Sequence, residues 1–239
     1  MLMNKCNIKK IIKQHIEPSY YFKFQPIVCK NNNNIGYEVL LDFNRFENIY
    51  LGSKESYINA ITFGNPFEAF LLEIPKLLSQ KNKVKWELEH KHLFFNLERH
   101  KLCDQKFINN VIDSSKRLYE ENISLVVEIT ERNLCNDCPV ILSGLKQLIY
   151  KDVILAVDDF DIYKGDFRQK EFEYGYYQFA KIEAPKNNDE QNIARNFIDK
   201  CRVNNIQVII ERVEREADLV PDAFGYQGFM INKGESWIA

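Results

Sequence analysis

Short apolar runs that have the length of β-strands alternate along most of this chain with longer segments of helical periodicity. His92–Leu97, Leu125–Ile129 and Val153–Val157 are strand-like, whereas Phe107–Glu120 and Pro139–Ile149 carry apolar residues at helical spacing. Strands that alternate with helices of about 10–15 residues predict βαβ units and a parallel sheet. The fold class is therefore α/β, and about seven strands over this length fit a (β/α)8-like barrel of the TIM type.

A doubly wound open sheet is the alternative architecture, but the chain lacks the glycine-rich phosphate turn typical of Rossmann and P-loop proteins. The first two strands differ from the rest. Asn31–Asn34 separates two apolar runs, and asparagine tolerates the left-handed conformations of hairpin turns. We expect a modified, partly antiparallel strand arrangement at this point. The remaining predicted elements are the strands Tyr20–Val28, Ile35–Phe43, Tyr177–Ile182, Val208–Ile210 and Gly225–Gly228 and the helices Pro66–Leu78 and Asp189–Val203.

No Pro/Gly/Ser-rich linker divides the sequence, so we expect a single domain over residues 1–239, with residues 1–18 as an N-terminal helical extension.

The 32 basic and 34 acidic residues nearly balance, and the pI of about 6.1 argues against non-specific DNA binding. The N-terminus lacks the apolar stretch of a signal peptide, and no apolar run reaches the ~18 residues of a membrane span. We expect a cytoplasmic protein whose cysteines are reduced thiols, namely Cys6, Cys29, Cys103, Cys135, Cys138 and Cys201.

A polar side chain stands at the carboxyl end of nearly every apolar run. In a barrel these ends share one face, which is where active sites lie. Five carboxylates gathered there would repel one another unless cations lay between them, and hard oxygen ligands suit Mg²⁺ or Mn²⁺. One lysine among them could pair with a carboxylate or a hydroxide. The strand-end residues are Glu38, Asn96, Glu128, Asp158, Asp159, Lys181, Glu211 and Gln227.

The same residues fall in segments that resemble the EAL-domain cyclic di-GMP phosphodiesterases. The signature Glu-Ala-Leu is similar to Glu38-Val39-Leu40, and Asp158-Asp159-Phe160 matches the Asp-Asp-Phe of that family. The other matching segments, in chain order, are Phe24-Gln25-Pro26, Asn96-Leu97, Glu128-Ile129-Thr130-Glu131, Lys181-Ile182-Glu183, Glu211-Arg212-Val213-Glu214 and Gln227-Gly228-Phe229. Each motif is weak alone, but the ordered set is specific and spans nearly the whole chain.

This resemblance implies hydrolysis of cyclic di-GMP to linear pGpG with two Mg²⁺ or Mn²⁺ ions in each active site. Two cations can activate the attacking water and neutralise the phosphate, so no protein nucleophile is needed. Lys181 would orient the attacking water, Glu131 would anchor the loop after Asp159, and Gln25 and Gln227 would contact the nucleotide. The metal ligands implied by the resemblance are Glu38, Asn96, Glu128, Asp158, Asp159 and Glu211, with Glu38 and Glu211 also counted as catalytic. A homodimer is compatible with the family, and no membrane or DNA partner is implied.

Three departures from the family pattern stand out. Asp42 occupies a position where the family has an arginine near a substrate phosphate, and Arg45 is the nearest substitute cation. Asp42 would repel the phosphate by roughly 3 kcal/mol at about 5 Å and an effective dielectric of ~20, unless it points to solvent. Residues 161–166 replace a glycine-rich segment, and Arg212 replaces a glycine.

The alternative function is a catalytically weak EAL-like module that binds cyclic di-GMP or a protein partner as a regulator. Retention of every metal-ligand position favours the enzyme.

Cys135 and Cys138 form a lone CxxC motif, and the sequence offers no second motif to complete a structural zinc site. We expect these two thiols to lie in a loop before a helix.

Overall fold

A computed structural model of the chain describes residues 22–42, 66–79, 90–131, 138–231 and 235–236. Its main feature is a closed barrel of eight strands in which β1 pairs with both β2 and β8. The strands are β1 (Phe22–Val28), β2 (Asn34–Leu41), β3 (His92–Leu97), β4 (Ser124–Ile129), β5 (Ile154–Val157), β6 (Phe179–Glu183), β7 (Gln207–Glu211) and β8 (Gly225–Tyr226), with the short β9 (Glu235–Ser236) paired antiparallel with the start of β1. The predicted barrel is confirmed, and the open sheet is wrong because the first and last strands pair.

Helices connect the strands on the outside of the barrel. They are α1 (Pro66–Ser79), α2 (Gln105–Glu120), α3 (Pro139–Tyr150), α4 (Gln169–Glu173) and α5 (Asn188–Val203), with short 3₁₀ turns at Arg99–Cys103 and Glu216–Asp218. Asp104 caps α2 by accepting from two backbone N–H groups, and Asn187 caps α5 in the same way with one. The short helix α4 and both 3₁₀ turns are additions to the predicted elements. The expected extension over residues 1–18 lies outside the described residues.

The strand β1 runs antiparallel to β2, whereas β2 through β8 run parallel. The reversal is made by the asparagine turn, where Asn32 adopts a left-handed φ of 59° and the Asn34 side chain accepts from Gly36 N at 2.9 Å. The predicted hairpin is therefore confirmed. Its register places Gln25 opposite Glu38, so the antiparallel strand contributes a side chain beside the parallel strand ends.

The barrel interior has two layers that follow the two-residue period of the strands. An apolar floor is built from one residue of each of six strands, namely Ile27, Phe94, Val126, Ala156, Phe179 and Ile209. Two residues away from them stand Gln25, Asn96, Glu128, Lys181 and Glu211 on the same strands, and Asp158 directly after the end of β5. The apolar floor closes one end of the barrel, and the polar layer faces the loops after the strands.

A larger apolar core lies between the outer barrel surface and the helices. Leu93, Leu125 and Leu155 point outward from the strands into this layer, where Val111 of α2 and Leu145 of α3 are fully buried. Each strand of the barrel is therefore held by the strands on either side of it and by this core behind it. The polar layer is therefore carried by rigid elements rather than by loops, and the positions of its side chains are well fixed.

Candidate metal and nucleotide site

Lys181 lies at the centre of the polar layer and is fully buried. Its ammonium Nζ contacts carboxylate oxygens from four different strands or strand ends. The distances are 2.7 Å to Glu211, 2.8 Å to Glu128, 2.9 Å to Glu38 and 3.4 Å to Asp158. The sequence-predicted convergence of these residues is observed, with the lysine surrounded by the acids.

Glu38 is the most fully hydrogen-bonded of these acids. Asn96 Nδ2 donates to its Oε1 at 2.8 Å, and Gln227 Nε2 donates to its Oε2 at 2.5 Å. Gln227 also donates to Gln25 Oε1 at 3.2 Å, which links β1 to the same network. The structure therefore brings Gln227 into direct contact with Glu38, and Gln25 reaches the acidic centre through Gln227.

The charges of this cluster do not cancel, because one ammonium faces four carboxyl groups, of which Glu211 alone is partly exposed. Burial opposes the charge of Lys181, but the surrounding carboxylates outweigh it and hold its pKa well above the ordinary range. Burial raises the pKa of Glu128 well above its usual value, and it raises the pKa of Glu211 to about 8. Burial also acts against Glu38, but Lys181 and the two amide donors lower its pKa overall. Lys181 alone therefore cannot neutralise the four carboxyl groups, and a further cation would stabilise their charged forms.

Divalent cations fit this set of residues. Glu128 is completely buried, yet its Oε2 has no hydrogen-bond partner among the described residues, which is costly unless a ligand supplies one. The buried Oε1 of Gln227 likewise has no partner within the described part of the chain. At the mouth of the barrel, oxygens of Glu131, Asp158 and Asp159 lie within 4.8 Å of one another. Carboxylate and amide oxygens are the ligands that Mg²⁺ and Mn²⁺ prefer.

Glu131 thus lies with the two aspartates, whereas the resemblance gave it only an anchoring role. Asp159 has a left-handed φ of 44°, and burial raises the pKa of its carboxyl group. The guanidinium of Arg212 lies 4.0 Å from Asp159 Oδ2 and 2.5 Å from Glu183 Oε1. Arg212 also has a positive φ of 56°. A cation that replaces the family glycine therefore stands at the edge of the acidic cluster in a conformation that favours glycine.

Arg168 is a supporting residue that the sequence did not reveal. Its guanidinium is completely buried and donates to two backbone carbonyls at strand ends, Ile129 O and Asp158 O, each at 2.7 Å. Asp166 accepts from the Nε of the same side chain at 2.9 Å. Arg168 therefore fixes the chain on either side of the Asp158–Asp159 turn. A single arginine in a loop has no periodicity that could have predicted this role.

Asp42 is 5% exposed, so of the two alternatives left open by the sequence, the one in which it points to solvent is wrong. It directly follows Leu41, the last residue of β2, and its side chain is buried at this end of the strand. The suggested substitute cation, Arg45, lies outside the described residues.

An open groove beside the acidic cluster is lined by Gln25, Glu211, Arg212, Gln227 and Phe229. Arg212 supplies a positive charge to this groove.

The fold and the site together define a TIM-barrel-like protein with an acidic, cation-attracting centre at the carboxyl ends of its strands. The family model of the EAL domain matches residues 13–220, and the chain belongs to the EAL domain family. No curated protein sequence matches the chain. No helix among the described residues has the length and apolar character needed to span a membrane.

Solved structures of EAL proteins share the fold at low sequence identity. A complex of the PaMucR phosphodiesterase with c-di-GMP is 19% identical, with a TM-score of 0.65 over 92% of this chain and 98% of that one. The EAL domain of Mycobacterium smegmatis DcpA is 18% identical, with a TM-score of 0.64 over 90% of this chain and 91% of that one. A manganese and cy-diGMP complex of Klebsiella pneumoniae BlrP1 is 21% identical, with a TM-score of 0.63 over 91% of this chain and 56% of that one.

Proposed function

We propose that this protein hydrolyses cyclic di-GMP to linear pGpG with Mg²⁺ or Mn²⁺. The observation that carries the proposal is the cluster of four carboxyl groups around the buried Lys181, in which Glu128 Oε2 has no hydrogen-bond partner among the described residues. Membership of the EAL family supports the reaction class, and two similar structures are described as complexes with this nucleotide. In this proposal residues 1–239 form one phosphodiesterase domain that acts in the cytoplasm.

The proposed roles follow from where each side chain lies. Divalent cations, when bound, would activate the attacking water and neutralise the phosphate. Asn96 and Gln227 orient Glu38 through their hydrogen bonds, so this carboxylate is held in one position. Lys181 stays protonated and can donate to an attacking oxygen and stabilise its charge. The residues that would hold the cations are Glu38, Asn96, Glu128, Asp158, Asp159 and Glu211, to which the observed cluster adds Glu131.

Nucleotide binding would use the groove beside the acidic centre. Gln25 and Gln227 stand at the boundary between the groove and the cluster, and the unpartnered Gln227 Oε1 is a free acceptor for a donor on the nucleotide. Arg212 offers the groove a cation for a phosphate, in place of an arginine at position 42. The role of Arg45 stays a prediction, as does the homodimer.

The experiment is an assay of purified protein with cyclic di-GMP, in which the appearance of pGpG is followed by chromatography. We expect turnover with Mg²⁺ or Mn²⁺ and none after chelation. Glu38→Gln should abolish turnover, because the amide removes one negative charge from the cation site. Glu120→Gln, on the exposed surface of α2, is the matched control and should behave as the unaltered protein.

Calcium separates the proposed enzyme from the alternative function. Ca²⁺ should support nucleotide binding but little turnover, because its larger radius and looser coordination disturb a two-cation geometry. Nucleotide binding with no pGpG under any of the three cations would refute the enzyme and favour the regulatory module. Equal rates with Ca²⁺ and Mg²⁺ would count against a two-cation mechanism.

A further inference from the structure

Two cysteines that the acidic site does not use are brought together on the outside of the barrel. Cys103 ends the 3₁₀ turn after β3, and Cys138 directly precedes the first residue of α3. These segments are far apart in sequence, but the thiol of Cys103 faces the sulfur of Cys138 within hydrogen-bonding reach. Cys103 is exposed and Cys138 is partly exposed, so small molecules can reach the pair.

Close packing fixes the positions of the two cysteine-bearing segments relative to each other. Gly144 of α3 lies against the 3₁₀ turn so tightly that a Cβ at this position would be 2.5 Å from Leu102 O. A hydrogen bond of 2.8 Å from Gln105 Nε2 to Gln147 Oε1 joins the start of α2 to α3. The thiol pair is therefore fixed by the fold on both sides and does not depend on a chance contact of surface side chains.

The surroundings of Cys138 favour its thiolate. The backbone N–H groups of Ile141 and Val140, in the first turn of α3, lower the pKa of this thiol, and Cys103 and the positive charge of Arg99 add to the effect. Glu171 of α4 holds Arg99 in place by accepting a hydrogen bond of 2.9 Å from its guanidinium. Cys201 has the opposite environment, because burial raises the pKa of its thiol to about 12.

We propose that Cys103 and Cys138 form a hydroperoxide-reactive thiol pair that closes to a disulfide. The Cys138 thiolate attacks one oxygen of the peroxide, so that an S–O bond forms, the O–O bond breaks and the leaving hydroxide takes a proton to become water. The sulfur of Cys103 then attacks the Cys138 sulfenic acid. An S–S bond forms, the S–O bond breaks, and hydroxide leaves with the Cys103 proton as a second water. Two thiols and one peroxide thus give one disulfide and two waters.

The test is oxidation of the reduced full-length protein with hydrogen peroxide, followed by intact mass and peptide mapping. We expect loss of two hydrogen atoms, a peptide cross-link between Cys103 and Cys138, and full reversal by dithiothreitol. Cys103→Ser should accumulate sulfenic acid at Cys138, which dimedone traps. Cys138→Ser should slow thiol loss by about tenfold or more. Cys29→Ser is the matched control and should react at the unaltered rate.

Three outcomes would overturn the proposal. A cross-link from Cys138 to Cys135 would assign the reaction to the CxxC motif instead. Oxidation of Cys29 as fast as that of Cys138 would show that the pair has no special reactivity. Zinc retained by the purified protein and lost in Cys103→Ser would show that these thiols hold a metal. None of these measurements depends on phosphodiesterase activity.

Discussion

Removal of divalent cations should make the stability of this protein fall as the pH rises from about 5 to 8. The acid chiefly responsible is Glu211, whose pKa burial raises from 4.5 to about 8. A raised pKa in the folded state means that the folded protein binds the proton more tightly than the unfolded chain. The stabilisation is therefore complete below about pH 4.5 and is lost as the pH rises towards 8.

The magnitude follows from the shift of the pKa of Glu211. Each pH unit between the two values lowers the free energy of unfolding by up to ~1.4 kcal/mol, so the full range removes up to about 5 kcal/mol. Burial also raises the pKa of Glu128, so this acid adds to the fall in stability as the pH rises. The pKa of Lys181 is held well above its ordinary value, so Lys181 stays protonated over this pH range. Asp166 and Asp218 have lowered pKa values, so their contributions change only at more acidic pH.

Urea denaturation at several pH values, with chelator and with Mn²⁺, measures this effect. In chelator the free energy of unfolding should fall with pH, and in Mn²⁺ the fall should be smaller, because a bound cation supplies the positive charge that protons supply at low pH. Glu211→Gln should flatten the dependence in chelator, whereas the surface variant Glu120→Gln should leave it unchanged. A free energy of unfolding that is constant or rises over this range in chelator would refute the reasoning.

Three substitutions test individual residues of the site. Lys181→Ala should lower kcat at least about a hundredfold while nucleotide affinity in Ca²⁺ changes little, because its charge acts on the attacking oxygen; a raised KM alone would make Lys181 a binding residue. Arg168→Ala should lower the free energy of unfolding by ~3–5 kcal/mol, since it removes the ion pair with Asp166 and the guanidinium hydrogen bonds to two strand-end carbonyls, and a loss under 1 kcal/mol in urea denaturation would contradict that role. Arg212→Gly should be about 1 kcal/mol more stable than Arg212→Ala, because only glycine adopts the φ of 56° without strain; equal stabilities would contradict the left-handed backbone.

The sequence predicted the barrel because strand-like and helical segments alternate, and it predicted the convergence of polar side chains because the carboxyl ends of barrel strands share one face. The two-residue period of each strand then decides which side chains point inward. Phe179 and Lys181 show this: one belongs to the apolar floor and the next inward-facing residue belongs to the site. Arg168 could not be predicted, because its partners include backbone carbonyls that carry no trace in the sequence. The sequence left the burial of Asp42 undecided, since nothing in it indicates what covers a residue beyond the end of a strand.

The apolar floor beneath the site also determines the order in which bound molecules can leave. Ile27, Phe94, Val126 and Ile209 are completely buried and close one end of the described barrel. Cations held by the polar layer would therefore have to exchange with solvent through the opposite end, where the groove lined by Gln25, Arg212 and Phe229 also opens. Under the proposed function, a nucleotide in that groove would lie across the exit, so the product would have to depart before the ions could exchange. Ions trapped in this way would remain in place from one catalytic cycle to the next.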